Sequence, residues 1–216
     1  MEIDVVRLAG LVVREVGSEE REGRLARVTI AARAYDTTVG DLWDAVTNIS
    51  RIPRWFLPVS GALRLGGHYA LEGNASGTIT ACDAPRSFAA TWESMGGVSW
   101  IEVELTPRPE GDTLLRLKHA AHVDEFWDTY GPGATGVGWD LGMLGLELHL
   151  ATNAPVNPTE VDAWSTSPEG KEFVRLSSEG WGSASIASGT DPAAAQAAMD
   201  RTTAFYTGDE HPEHGP

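Results

Sequence analysis

The spacing of apolar residues changes period twice along this chain, and the order of those changes predicts the fold. Residues 11–16 (LVVREV) and 24–33 (RLARVTIAAR) read as strands joined by the charged turn GSEEREG. In the second strand Leu25, Val28 and Ile30 fall partly out of alternation, which predicts a bulge or burial on both faces. The period then lengthens. Thr38 caps a helix, Asp41 completes the capping-box pattern, and Val39, Leu42 and Val46 form an apolar stripe that Trp43 widens. Asn48 caps a second short helix, which Pro53 limits and the Trp55-Phe56-Leu57-Pro58 segment ends.

From Gly61 to Val123 the period returns to two. Segments 63–65, 68–72, 78–82, 87–93, 98–106 and 113–122 read as short strands, separated by Gly66-Gly67, GNASG, Asp83-Ala84-Pro85, Gly96-Gly97 and PRPEGD. Such closely spaced turns predict an antiparallel meander. Alternation puts Phe88, Ala90 and Trp92 on one side of their strand; Ile101, Val103 and Leu105 share a side of the next. Leu115, Leu117 and His119 do the same on the last long strand, and Tyr69 and Leu71 on a short one.

Residues 139–150 predict a closing helix with two apolar faces. Trp139, Met143, Leu146 and Leu150 fall on one side, and Leu141, Leu144 and Leu148 roughly opposite. A helix of that kind is expected between two layers, the sheet and the tail. In the tail, Ser167-Pro168 and Asp191-Pro192 each place a capping side chain before a helix-starting proline. Phe173, Leu176, Gly180 and Ala184 keep helical spacing with Trp181 as an anchor, and 193–206 is Ala-rich. The expected organisation is a sheet-and-helix domain over 1–153, a helical extension over 154–208, and a disordered tail over 209–216. A sheet that long, with helices only at its ends, must curl around whatever covers its apolar face, and folds of this kind tend to enclose a cavity.

Composition excludes more than it identifies. The 216 residues suit one domain with an extension, and 42% hydrophobic with 22% charged residues is ordinary for a globular protein. A net charge of −15 argues against nucleic acid and anionic membrane surfaces as partners. Glu2 and Asp4 stand where a secretory signal carries positive charge, and Arg7 and Arg14 interrupt the apolar start, so a cytoplasmic location is expected. The lone Cys82 is expected to be a small core or sheet residue in a reducing compartment.

Candidate chemistry is sparse. In HAAHVDE a separation of three sends His119 and His122 to opposite faces of a strand, so the pair cannot chelate one metal ion. There is no G-x-S-x-G elbow. GPGATGVG lacks the Gly-Lys-Ser/Thr ending of a phosphate loop and reads as a linker, or else as a lid over one end of a cavity. Asp41 and Asp44 read as a solvated helix face. No cofactor is implied.

The ordered fragments DLWDAVT, RW, GG-Y, the P-R…TWE strand, SWIEVELTP, LLRLKHAAH and VGWDLGMLGLELHL together resemble the SRPBCC (START-like) superfamily over about residues 24–150. They look most like the branch named for the activator of the large heat-shock chaperone's ATPase. The resemblance implies an α+β helix-grip fold, in which a seven-stranded antiparallel sheet curls around a long C-terminal helix and leaves a cavity. Gly142 and Gly145 in the closing helix, and the extra helical tail, depart from that pattern.

The expected site is the space between the sheet's inner face and the closing helix, lined by Trp55, Phe56, Tyr69, Phe88, Trp92, His119, Trp139 and Met143. The alternative is that these aromatics fill a solid core. Three functions follow: binding of a small hydrophobic molecule; a cyclase- or aromatase-type reaction in which His119 or Tyr69 moves a proton; or regulation of a chaperone ATPase, as the branch name suggests. Expected partners are a small apolar molecule and either a second copy of the chain or a chaperone.

Overall fold

A computed structural model describes residues 4–94, 96–155 and 157–209, so the last seven residues, which hold most of the expected disordered tail, lie outside it. The chain opens on a short helix that the sequence reading did not anticipate, α1 (Val5–Gly10), capped by the Asp4 side chain accepting from the Arg7 N–H. Strands β1 (Val13–Arg21) and β2 (Arg24–Tyr35) then form a hairpin. Most of GSEEREG is therefore strand, and the turn shrinks to Glu22 and Gly23, both at positive φ (51° and 73°) as a two-residue hairpin requires. The charged residues fit a solvent-facing strand, where Glu19 pairs with Lys118 and Arg21 with Glu102, respectively two and three strands across the sheet.

Helix α2 (Val39–Thr47) starts on Thr38, whose hydroxyl accepts from the Asp41 N–H. The second helix of the expected pair is a single 3-10 turn, Ile52–Arg54. The meander follows as β3 (Val59–Gly61), β4 (His68–Leu71), β5 (Ser76–Asp83), β6 (Ser87–Ser94), β7 (Gly97–Pro107) and β8 (Thr113–His122). The sheet is antiparallel with eight strands in the order β1-β2-β8-β7-β6-β5-β4-β3, one more than the resemblance implies. The short strand expected at 63–65 lies instead at Val59–Gly61, where it pairs with Leu71, Ala70 and Tyr69 at the sheet's edge. Register brings the predicted faces together: Ala90, Ile101 and His119 form one row, Phe88, Val103 and Leu117 the next, and Leu105 lies opposite Leu115.

After α3 (Glu125–Tyr130), also unanticipated, the central helix α4 runs Gly133–Thr152. GPGATGVG is therefore neither linker nor lid from Gly133 onward, because its glycines serve close packing inside a helix. A Cβ on Gly136 would overlap the buried indole of Trp181. Helices α5 (Pro158–Ser165), α6 (Pro168–Ala187) and α7 (Pro192–Thr207) complete the chain, with Ser167 and Asp191 capping α6 and α7 through their side chains.

The two apolar faces of α4 each find a layer. Met143 and Leu146 join the sheet's core, while Leu144, with Leu141 and Leu148, packs against Phe173 of α6 and against Val5, Leu8 and Ala9 of α1. The tail thus shares its covering role with the N-terminal helix. A carboxyl group is buried at this junction. Asp140, 0% exposed, accepts from Arg14 Nε of β1 at 2.8 Å, from Trp181 Nε1 at 3.1 Å and from the Ser177 hydroxyl. Burial pushes its carboxyl above the usual carboxylate range, and Arg14 opposes that shift.

Candidate functional site

Between the sheet and α4 lies an apolar cavity of about 550 Å³. Its floor is the inner face of the sheet, including Ile79, Ala90, Ile101, Val103, Leu115 and Leu117, and its roof is Trp139, Gly142, Met143 and Leu146 of α4. Trp43 and Val46 of α2 close one side, and the Trp55-Phe56 segment another. The two glycines that depart from the family pattern explain how that segment gets there. A Cβ on Gly145 would lie 2.5 Å from the Trp55 carbonyl oxygen, and one on Gly142 would lie 3.3 Å from the Phe56 ring. Their helical cost is offset by close approach of the wall.

Seven of the eight predicted residues meet on this wall: Trp55, Phe56, Tyr69, Phe88, Trp92, Trp139 and Met143. Their rings pack on one another without filling the space. Phe56 stacks on Trp139 at 6.4 Å between centroids, Trp92 meets Trp139 at 5.0 Å edge-on, and Trp43 meets Phe88 at 6.2 Å. Large rings held apart by strand register and by α4 leave a gap that alternation by itself cannot reveal.

His119 is the eighth, and it stands behind the wall. It is 5% exposed, and its Nδ1 accepts from Trp139 Nε1 at 3.0 Å. That bond places the ring proton on Nε2, which donates to Ser99 Oγ at 2.8 Å; Ser99 in turn donates to the Trp92 carbonyl at 3.0 Å. Every polar atom of the imidazole is spent on fixing two cavity tryptophans. Burial lowers the His119 pKa to about 4, so the ring is neutral at physiological pH. The unfolded chain takes up a proton near pH 6.5 and the folded chain does not until about pH 4. Stability is therefore flat above pH 6.5 and falls as pH drops from 6.5 towards 4, by up to about 3 kcal/mol from this group. His119→Gln should flatten that part of the curve in urea titrations between pH 7 and 4; an unchanged slope would show that His119 does not set it.

Other polar wall atoms away from the rim are likewise occupied. Tyr69 donates its hydroxyl to the Thr91 carbonyl at 2.7 Å, and burial, with Glu93 nearby, raises its pKa. Trp55 Nε1 donates to the Ala45 carbonyl at 2.9 Å, and Thr47 to that of Trp43 at 2.7 Å. His122 projects from the opposite sheet face beside Trp100, 5.1 Å between rings. Among the described residues no cluster of three or more His, Cys, Asp or Glu side chains could hold a metal ion, and no helix is long and apolar enough to cross a membrane.

The sequence reading missed one end of the cavity. Leu65, Cys82 and Ala84 line its exposed rim together with Arg64, the wall's one charged side chain. Cys82 is in a strand as expected, but exposed rather than in the core. A bulge between Ile79 and Ala81 is the cause: Ile79 pairs with Ala90 and Cys82 with Phe88, so residues three apart both face the cavity. Strict alternation assigns them to opposite sides.

The family model described as "Activator of Hsp90 ATPase homolog 1-like protein" matches residues 36–143, over the α2 helix, the meander and the start of α4. The chain belongs to this family. Two structures of CalU16 from Micromonospora echinospora, a crystal and a solution NMR structure, are similar to it. The first is 31% identical with a TM-score of 0.65, covering 80% of this chain and 97% of CalU16. The second is 32% identical with a TM-score of 0.69, covering 83% and 97%. MLL2253 from Mesorhizobium loti, 20% identical over 58% of this chain and 97% of its own, shares the fold at a TM-score of 0.51. No curated protein matches. Membership of the Activator of Hsp90 ATPase homolog 1-like family accounts for the helix-grip arrangement.

Proposed function

We propose that this chain binds a small, uncharged, largely apolar molecule in the cavity between the sheet and α4. The observation that carries this reading is a wall with no carboxylate or imidazole on it, whose Tyr69, Trp55, Trp139 and Thr47 polar atoms already have protein partners. Such a surface offers area and ring faces to a ligand, and its one charge, Arg64, stands at the exposed rim. Trp55, Phe56, Tyr69, Phe88, Trp92, Trp139 and Met143 are the contacts proposed, and the rim at Leu65, Cys82 and Ala84 is the entrance. A cyclase-type reaction has less support, since Tyr69 is committed to Thr91 and His119 stands behind Trp139.

The test is titration of the full chain with N-phenyl-1-naphthylamine, a neutral apolar fluorophore. Saturable binding with enhanced fluorescence is expected, together with slower modification of Cys82 by a thiol reagent. Ala90→Phe, which places a ring in the cavity floor, should weaken the dye at least tenfold, a loss of about 1.4 kcal/mol or more in binding. It should leave the melting temperature unchanged or higher, because it fills empty volume. Absence of saturable binding, or binding that Ala90→Phe leaves intact, would sink the proposal. Retention of wild type and Ala90→Phe alike on an immobilised Hsp90 column would favour instead a surface role in regulating that ATPase.

A further inference from the structure

A second cavity, of about 210 Å³, lies where α3, α6, α7 and β2 meet the start of α4. Its character is different. Two polar side-chain atoms on its wall are buried without a hydrogen-bond partner: Ser178 Oγ, on a residue 1% exposed, and Arg27 Nε. A helical serine ordinarily returns its hydroxyl to the carbonyl one turn back, and Ser178 does not. Arg27 holds only one outer nitrogen on Ser18, at 2.9 Å. Orphaned groups of this kind are costly unless something in the cavity satisfies them.

The same cavity touches the N-terminus of a twenty-residue helix. Gly131, Pro132 and Gly133 line it, and α4 begins there with no side-chain cap. The first amides of a helix have no partner within it, and they carry the positive end of the helix dipole. Close packing requires glycine at this end: a Cβ on Gly133 would lie 2.8 Å from the Thr202 side chain. Arg27 Nε, a buried hydroxyl and a helix start whose Ala134 amide already donates to the Gly131 carbonyl at 3.3 Å therefore line one small space. Asp128 on the wall opposes an anion and limits its charge.

We infer that this cavity is a binding site for a small oxyanion of low charge, a carboxylate or phosphate group accepting from Arg27 and Ser178 at the start of α4. The site is separate from the apolar cavity and does not depend on its occupant. The probes are sodium acetate and inorganic phosphate, added to the full chain and followed by amide chemical shifts at constant ionic strength. Saturable shifts at Gly133 and Ser178 are expected in the millimolar range or tighter. Ser178→Ala and Arg27→Gln should each weaken them at least fivefold. Without added anion, Ser178→Ala should be at least as stable as wild type, since it deletes an unsatisfied hydroxyl; this variant keeps the test valid if Arg27→Gln folds poorly. Acetate separates a carboxylate preference from a phosphate one. No saturable shift with either ion, or equal shifts in both variants, would overturn the inference and leave the cavity to water.

Discussion

Asp140→Ala is expected to destabilise the protein by about 3–5 kcal/mol, a large part of the about 5–15 kcal/mol that holds a domain folded. The carboxylate is fully buried, and its loss strands three donors at once: Arg14 Nε, Trp181 Nε1 and the Ser177 hydroxyl. Arg14 cannot turn to water, because its other nitrogens hold the Val12 and Ala9 carbonyls at 3.1 Å each. The charge left behind, more than the bond removed, accounts for the size of the effect. Urea denaturation measures it. Replacing both partners, as Arg14→Met with Asp140→Leu, should recover much of the loss; a double variant as unstable as the sum of the single ones would show that the ion pair is not what matters.

Gly136→Ala should cost about 3 kcal/mol, although the same change in an open helix gains about 1 kcal/mol. The added methyl overlaps the ring of Trp181, which is 1% exposed and has no room to retreat. Moving the indole also breaks its 3.1 Å bond to Asp140. Gly40→Ala, in the first turn of α2 with nothing within 4 Å of the new Cβ, is the control, and it should be neutral or stabilising. Chemical denaturation of the two variants side by side reads the difference. Equal stabilities would mean that Trp181 is not held against α4.

Both effects sit at a junction that the residue pattern only outlined. The two apolar faces of α4, the caps at Thr38, Ser167 and Asp191, and the common inner face of β6, β7 and β8 were all legible, because each depends on residues a few positions apart. The residues around Gly136 read as a linker for the opposite reason. Glycine spacing looks the same whether it supplies flexibility or lets Trp181, distant in sequence, lie against the helix. α1 was invisible as a helix because six residues offer too little periodicity.

The candidate site divides along the same line. Alternation and helical spacing by themselves determined which side of their element Tyr69, Phe88, Trp92, Trp139 and Met143 share, and these five lie on the wall with Trp55 and Phe56. Tertiary structure decided three things. The β5 bulge turned Cys82 to the rim. Trp139 and Ser99 took both nitrogens of His119, making it a support rather than a contact. And the sheet's curl, with Gly142 and Gly145 admitting Trp55 and Phe56, left about 550 Å³ unfilled. Orientation is a local property of the backbone, whereas hydrogen-bond partners and empty volume depend on where distant segments meet.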